Sequence, residues 1–204
     1  MKRCRWFFDF DHTLYNTSIL SVMIHQYLMA LGSSKQEIVQ TERTLNKTGY
    51  SFARHLEMLG YPLDVVRREE TSMSHLLDAG NQILFPDARH VLQALCRTDE
   101  CNLLTFGDPT FQMRKYAGAT EIHRFITNTH FVWHDRSKGR VVAEYGSDCQ
   151  TRFVDDSPEQ LLSVAKHAPQ AELFRMMWPQ NTRTPHPLDN VRWRVVHSIE
   201  ALLT

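Results

Sequence analysis

Short apolar runs bounded by polar residues recur along the chain, and they predict the strands of a parallel sheet. Continuous runs of this length are typical of strands that are covered on both faces. Between the runs, apolar residues follow helical spacing, with Pro86 and Pro158 placed at helix starts. Strand and helix therefore alternate, which predicts a doubly wound, parallel α/β sheet. The predicted strands are CRWFFDF (4–10), CNLLTF (101–106), QTRFVD (150–155), AELFRMM (171–177) and, as the weakest case, RFIT (124–127).

The alternation stops between about Ser18 and Leu84, where only helical patterns follow one another. Ser34 and Glu37 form the capping-box signal of a helix start, and further helices are predicted from Ser51 to Gly60 and after Asp64. A helical stretch of this length is too large to be one crossover between strands. We therefore predict an all-α insertion, although the same helices could instead thicken one face of the core. The predicted division is an α/β core of residues 1–16 and 85–204 and a helical insertion of residues 17–84.

Composition limits both the size of the core and the choice of partners. With 204 residues and 42% hydrophobic content, the chain can bury one substantial core and a small insertion. Lys plus Arg and Asp plus Glu both number 23, so bulk charge attracts neither nucleic acid nor an anionic membrane. We therefore predict no nucleic-acid or membrane partner, and the sequence leaves the oligomeric state open.

Cysteine usage and the amino-terminal sequence predict a cytoplasmic protein. The four cysteines include no CxxC pair, and acids interrupt the apolar start MKRCRWFFDFD before a signal peptide could form. No apolar run approaches the roughly 20 residues that a membrane-spanning helix needs. We therefore expect a reducing compartment and no membrane anchor.

Polar side chains suited to catalysis follow the predicted strands, at the sheet edge where open parallel sheets bind their ligands. Carboxylates, a hydroxyl and an ammonium should therefore meet at one edge of the sheet. The residues are Asp9 and Asp11 after the first strand, Thr105 at the end of the second, Lys138 in the loop DRSKGR, and Asp155 with Asp156 after a later strand.

These side chains together predict a magnesium and phosphate site. Crowded carboxylates repel one another and need a cation, and dense oxygen ligands suit Mg²⁺. Thr105 and Lys138 could bind the oxygens of a phosphoryl group, with the lysine neutralising charge in the transition state. Helix starts at Asp108 and Ser157 would point free backbone N–H groups at the same anion. Each residue alone has an ordinary structural explanation, and the combination carries the prediction.

The order of these residues resembles the motifs of the haloacid dehalogenase-like (HAD) hydrolase superfamily over nearly the whole chain. The first motif, hhhDxDxT, matches residues 6–13, and the second, an apolar strand ending in Thr, matches residues 103–105. The fourth motif, a strand ending in an acidic pair, matches residues 153–156. For the third motif, a lysine, Lys138 is favoured over Lys115, which lies on the helix after motif two.

The resemblance implies a Rossmann-like core of three layers, with a helical cap at residues 17–84, and it implies residue roles. Asp9 would be the nucleophile that forms an aspartyl-phosphate, and Asp11 would protonate the leaving oxygen and then activate water. Members that cut carbon–halogen bonds lack an acid at the Asp11 position, which favours a phosphatase or phosphotransferase here. Implied catalytic residues are Asp9, Asp11, Thr105 and Lys138; phosphate- or substrate-binding residues are Thr105, Gly107, Lys138 and His12; Mg²⁺ ligands are Asp9, the Asp11 carbonyl and the pair Asp155 and Asp156, with the direct ligand of the pair undecided.

His12 departs from the family pattern, in which Gly is common between the second Asp and the Thr. It could contact substrate or cap, or pack beside the loop, and packing is favoured because no partner is visible. Four further residues are candidates for facing the site from the cap side: Tyr15, Asn16, Lys47 and Arg54.

The expected activity is Mg²⁺-dependent hydrolysis of a small phosphorylated metabolite. A phosphotransferase or phosphomutase of the same superfamily is the nearer alternative, and a non-catalytic binding or regulatory protein on this fold is the second. A two-component receiver domain uses similar residues in the opposite order and is rejected. The cap should select the substrate, whose identity the sequence does not indicate.

Overall fold

A six-stranded sheet lies at the centre of the computed structural model, which describes residues 4–133, 137–145, 149–179 and 184–203. The strands are β1 (Cys4–Phe8), β2 (Glu100–Phe106), β3 (Asn128–Val132), β4 (Gln150–Asp155), β5 (Glu172–Met176) and β6 (Arg194–Val196). Their order across the sheet is β3-β2-β1-β4-β5-β6, and all neighbouring pairs are parallel. The first strand is therefore central, and the predicted doubly wound α/β class is confirmed.

Helices surround this sheet within the described residues. None of them combines the length and apolar character that crossing a membrane requires. Those within residues 17–83 are α1 (Thr17–Ala30), α2 (Lys35–Leu45), α3 (Phe52–Met58), α4 (Leu63–Leu77) and α5 (Gly80–Ile83). The later ones are α6 (Ala88–Leu95), α7 (Pro109–Gly118), α8 (Thr120–His123), α9 (Lys138–Tyr145), α10 (Pro158–His167) and a short 3-10 helix, Ile199–Leu203.

The pattern of apolar runs located four strands correctly, but the prediction of a strand at RFIT was wrong. The backbone N–H groups of Phe125 and Ile126 donate to carbonyl oxygens three residues earlier, so this segment closes a helical turn. Pairing with β2 begins only at Asn128. The pattern also missed β6, because this edge strand has three residues and an exposed arginine at its start.

Alternating side chains of β1 pack against helices on both faces of the sheet. Trp6 and Phe8 belong to the larger apolar cluster, whereas Phe7 belongs to a second cluster with Val141 of α9 and Leu161 of α10. All three aromatic side chains are fully buried. This double burial fixes the direction of β1 and therefore the position of the residues that follow it.

The helical segment, residues 17–83, separates β1 from the rest of the sheet. The predicted capping box is present, since the Ser34 hydroxyl accepts from the Glu37 N–H and the Glu37 carboxylate accepts from the Ser34 N–H. Leu20 and Ile24 of α1 share one apolar cluster with residues of β1. The helical segment thus shares apolar packing with one face of the sheet, and its division from the core as a separate cap stays a prediction.

Two glycines bring the helical segment into backbone contact with α7. Gly118 ends α7 and Gly80 begins α5. A Cβ atom at Gly118 would lie 1.9 Å from the Leu77 carbonyl oxygen, and one at Gly80 would lie 2.6 Å from the Gly118 carbonyl carbon. Only a residue without a Cβ atom allows this approach, so the two glycines fix how α5 sits on α7.

We expect Gly118→Ala to lower the free energy of unfolding by about 1–3 kcal/mol, because the added methyl group forces the two backbones apart. A loss of stability would be informative, because replacing Gly by Ala in a helix normally stabilises it by up to about 1 kcal/mol where space allows. Urea titration followed by circular dichroism measures the change. Met113→Ala, at a position on α7 that is 50% exposed, is the matched control and should change the free energy by less than about 0.5 kcal/mol. Equal stability of Gly118→Ala and the parent would contradict the contact.

Candidate active site

A tight turn after β1 carries the first pair of acids. The Asp9 N–H continues the strand pairing by donating to the Val154 carbonyl oxygen at 2.9 Å, and the Leu14 N–H closes the turn onto the Phe10 carbonyl oxygen at 3.0 Å. His12 has a φ of 57°, which lies in the left-handed region. This backbone conformation explains why glycine suits the position, and histidine is among the residues that tolerate it best.

Lys138 connects the end of β1 with the end of β4. Its Nζ atom donates to Asp9 Oδ1 at 2.6 Å and to Asp155 Oδ2 at 2.7 Å, and its side chain is 2% exposed. The lysine is the first residue of α9 and not a loop residue as predicted; residues 134–136 of that loop lie outside the described residues. A Cβ atom at Gly139 would lie 2.2 Å from the Ser163 carbonyl oxygen, so α9 is held close to α10. This packing aims Lys138 at the acids.

Burial and charge act in opposite directions on these three groups. Burial raises the pKa of Asp9 to about 7 and that of Asp155 to about 6, against the attraction of the Lys138 ammonium. Burial disfavours an ammonium, yet the Asp155 and Asp9 carboxylates raise the pKa of Lys138 above its usual value. One lysine therefore does not neutralise the buried carboxylates of this site. A bound cation would supply the missing positive charge.

Among the described residues, three carboxylates lie close enough together to bind one metal ion. Oxygen atoms of Asp9, Asp155 and Asp156 all lie within 4.8 Å of one another, and all three residues are buried. Asp155 already accepts from Lys138 with Oδ2 and from the Ser157 N–H with Oδ1, at 2.8 Å. This hard-oxygen set fits Mg²⁺, which binds through few carboxylates and keeps several waters.

Asp11 is bound by a second lysine. Lys115 Nζ and Thr17 Oγ1 both donate to Asp11 Oδ1, and Gln112 Nε2 donates to Asp11 Oδ2 at 2.8 Å. Burial alone would raise the pKa of Asp11, but the Lys115 ammonium and the hydrogen bonds from Lys115 and Thr17 lower it to about 2. Asp11 is therefore a carboxylate near neutral pH. Lys115 and Lys138, weighed as alternatives for one motif, thus each contact a different acid of the first motif.

Thr105 lies near the end of β2, and Gly107 and Asp108 connect this strand to α7. Thr105 is 1% exposed, and its hydroxyl has no hydrogen-bond partner within the part of the chain that is described. Gly107 adopts a φ of 146°, and a Cβ atom there would lie 2.8 Å from Gln112 Nε2. The Asp108 carboxylate accepts from the Phe111 N–H at 2.9 Å and begins α7. The predicted helix starts at Asp108 and Ser157 are both confirmed.

A cavity of about 980 Å³ contains most of the predicted site residues. Its lining includes Asp9, Asp11, His12, Lys138, Asp155 and Asp156. Thr105 and Gly107 do not line it, although Phe106 between them does. Of the four residues expected to face the site from the cap side, Lys47 lines the cavity, whereas Tyr15, Asn16 and Arg54 do not. Tyr15 is fully buried beneath the turn, where its ring packs on Phe10.

The helical segment supplies the other wall of this cavity. Ser21 and Glu42 line it and are hydrogen-bonded to each other at 2.7 Å, and His25 contacts the second oxygen of Glu42 at 2.9 Å. Near the turn after β2, the Trp133 indole N–H donates to the Thr48 carbonyl oxygen at 2.9 Å. Residues of the helical segment therefore line the same cavity as the acids.

Sequence analysis missed several residues of this site. Gln112 was not considered, and Lys115 was considered only as the alternative to Lys138; the two lie one helical turn apart on α7, so their shared face was visible in the sequence. Thr17 begins α1, where a solvent-facing cap residue was the simpler interpretation. For Ser21 and Glu42 the sequence offered no signal, because only the crossing of α1 and α2 brings them together.

Solved structures of HAD-like hydrolases share this fold. A protein from Burkholderia xenovorans LB400, named a haloacid dehalogenase-like hydrolase, matches with a TM-score of 0.77 and 18% identity over 100% of this chain and 96% of that chain. YfnB from Bacillus subtilis, named a HAD-hydrolase and bound to magnesium, matches with a TM-score of 0.65 and 14% identity over 99% and 97% of the two chains.

Haloacid dehalogenases also have this fold. The L-2-haloacid dehalogenase of Xanthobacter autotrophicus, with chloropropionic acid covalently bound, matches with a TM-score of 0.61 and 15% identity over 99% of this chain and 97% of that chain. No protein-family profile matches the sequence, and no curated protein matches it. The similarity therefore shows that the chain has the fold of HAD-like hydrolases. The proteins that share this fold catalyse different reactions.

We expect Mg²⁺ to raise the melting temperature of the protein, because a cation bound between the buried carboxylates stabilises only the folded state. A free concentration of 100 times the dissociation constant corresponds to about 2.7 kcal/mol. Thermal unfolding with and without Mg²⁺ measures the shift.

The variant Asp156→Asn should unfold cooperatively and show little of this shift. Asp78→Asn removes a carboxylate whose side chain is 76% exposed and should keep the full shift. A full shift in Asp156→Asn, or none in the parent, would show that the three carboxylates do not bind the cation.

Proposed function

We propose that the protein is a Mg²⁺-dependent phosphohydrolase that cleaves a small phosphate monoester through an aspartyl-phosphate. One observation carries the proposal: Asp9 lies at the end of the central strand with an ammonium on one carboxylate oxygen and two further carboxylates within metal-binding distance. This arrangement suits the attack of a carboxylate on a negatively charged phosphoryl group. The magnesium-bound neighbour with the same fold supports the choice of cation.

Mg²⁺ would be held by Asp9, the carbonyl oxygen of Asp11 and the acidic pair. Both oxygens of Asp155 also accept hydrogen bonds, from Lys138 and Ser157, which fix the orientation of this carboxylate. When bound, the cation would neutralise phosphoryl charge and favour the ionised form of Asp9. Lys138 adds a fixed positive charge between Asp9 and Asp155.

The reaction has two displacements on phosphorus. An Asp9 carboxylate oxygen attacks phosphorus, the bond to the leaving oxygen breaks, and that oxygen takes a proton from Asp11. Water then attacks the phosphorus atom of the aspartyl-phosphate and gives a proton to Asp11. The bond between phosphorus and Asp9 breaks, so inorganic phosphate is released and the Asp9 carboxylate is restored. The Lys115 contact keeps Asp11 ionised, so it can accept a proton in the second step, and the negative charge of a bound phosphate monoester would raise its pKa for the first.

Asp11 also favours phosphoryl transfer over dehalogenation. A carbon–halogen bond yields a halide ion, which needs no proton, whereas an alkoxide leaving group does. In this chain Asp11 lines the cavity and is held by three side chains. A phosphotransferase would use the same residues, with a second substrate hydroxyl in place of water.

The substrate that we propose is a small phosphorylated metabolite. A cavity of about 980 Å³ is at the upper end of the range for small-molecule sites. Its far wall mixes the Glu42 carboxylate, the exposed Lys47 and apolar side chains of α1, so the part of the substrate beyond the phosphate is expected to be polar. Neither nucleic acid nor membrane is part of this proposal.

Asp9→Asn should reduce the kcat of Mg²⁺-dependent phosphate release by about 1,000-fold or more, because the amide is a poor nucleophile. Release of phosphate from p-nitrophenyl phosphate and from a panel of phosphorylated metabolites is the measurement. Asp78→Asn is the control for loss of an acid on the surface and should keep the parent rate.

Two other outcomes would change the assignment. Halide release from 2-chloropropionate with no phosphate release would identify a dehalogenase. Formation of a new phosphate ester from an added alcohol, in place of free phosphate, would identify a phosphotransferase. If the folded, Mg²⁺-binding protein turns over none of these substrates, the binding-protein alternative replaces the proposal.

A further inference from the structure

Three side chains from two helices fix the Asp11 carboxylate. Thr17 on α1 and Lys115 on α7 donate to Oδ1, and Gln112 on α7 donates to Oδ2. Gln112 is itself fixed, because its Nε2 also donates to the Phe106 carbonyl oxygen at 3.2 Å. The carboxylate thus has donors on both oxygens, which determines the orientation of its plane.

Lys115 occupies an unusual environment for a lysine. It is 1% exposed, and its Nζ lies between 5.2 and 5.7 Å from the ring centres of Phe10, Tyr15 and Phe111. Gln112 Oε1 accepts from the same Nζ at 3.2 Å. Burying an ammonium is costly unless it is paired, so the packing here commits Lys115 to Asp11 and Gln112.

The acceptor sites of Asp11 are unequally used. A carboxylate oxygen accepts about two hydrogen bonds. Among the described residues, Oδ1 receives both Thr17 and Lys115, whereas Oδ2 receives only Gln112. One acceptor site therefore remains on Oδ2, and Asp11 lines the cavity in which substrate would bind.

We propose that Lys115, together with Gln112, is a positioning residue that holds Asp11 so that Oδ2 exchanges the proton with the substrate oxygen and with water. This inference rests on the proposed function, in which Asp11 carries out both proton transfers. Lys115 lines the cavity, but its Nζ atom is committed to Asp11 Oδ1 and Gln112 Oε1, so it acts on the reaction through Asp11. Without it, Oδ1 loses one of its two donors and the carboxylate can rotate away from the reacting oxygen, and misplacement of about 1 Å can reduce a rate 100-fold.

The test uses pre-steady-state kinetics of Lys115→Met with p-nitrophenyl phosphate and Mg²⁺. Nitrophenolate leaves without protonation, so formation of the aspartyl-phosphate is spared, whereas its hydrolysis needs Asp11. We expect a rapid burst of about one nitrophenolate per site, followed by turnover reduced about 10- to 100-fold with a lowered KM. A loss of activity through poor folding reduces the burst and the turnover together, so the burst separates positioning from a merely structural role.

Two further variants make the test independent of one substitution. Gln112→Met removes the donor to Oδ2 at similar size and should give a burst of the same kind, and it carries the test if Lys115→Met does not fold. Arg114→Met removes a positive charge from the exposed side of α7 and should behave like the parent. Parent-like turnover in folded Lys115→Met and Gln112→Met, or reduced turnover without a burst, would overturn the inference.

Asp11→Asn separates failure of this inference from failure of the proposed function. If Asp11→Asn shows a burst and slow turnover while Lys115→Met and Gln112→Met behave like the parent, only the positioning role is wrong. If Asp11→Asn itself turns over at the parent rate, the role of Asp11 and the proposed mechanism both fail.

Discussion

The contact of Lys138 with Asp9 and Asp155 is the constraint on which the rest of the site depends. One ammonium, 2% exposed, spans two neighbouring strands and joins the ends of β1 and β4. Breaking such a pair leaves an uncompensated buried charge, so the surrounding elements must hold it in place. They do so through the close packing of α9 on α10 at Gly139 and through the double burial of β1. The aromatic residues before Asp9 thus help to set the electrostatics after it.

The two lysines contact different acids of the first motif. Lys138 faces Asp9 from beyond β4, and Lys115 faces Asp11 from α7. The consequences differ: burial leaves the pKa of Asp9 raised despite its lysine, whereas Lys115 and the neighbouring hydrogen bonds lower the pKa of Asp11. Two carboxylates separated by one residue are therefore placed in opposite electrostatic environments, which is the condition for giving them different chemical roles.

Sequence reasoning succeeded where a general rule of parallel sheets applies. The ends of β1 and β4 had to meet at one edge, so the convergence of Asp9, Asp155 and Lys138 was predictable. It was incomplete where the answer depended on the packing of a helix, as for Lys115, which was considered only as an alternative to Lys138 and which contacts Asp11 from α7. It failed where a short apolar run, RFIT, closed a helical turn. His12 is a third case, in which the left-handed backbone conformation, not visible in the sequence, is one that histidine tolerates.

The separation of the site residues along the chain has a consequence for folding. Asp9 and Lys138 are 129 positions apart, and the helical segment, β2 and β3 lie between them in the sequence. Contacts between distant segments form late, because the loop between them must close first. During synthesis, Phe7 of β1 therefore lacks its packing partners in α9 and β4 until those segments have been made. Acquisition of the site is then a late event, and appearance of metal binding during refolding reports the pairing of β1 with β4 rather than collapse of the chain.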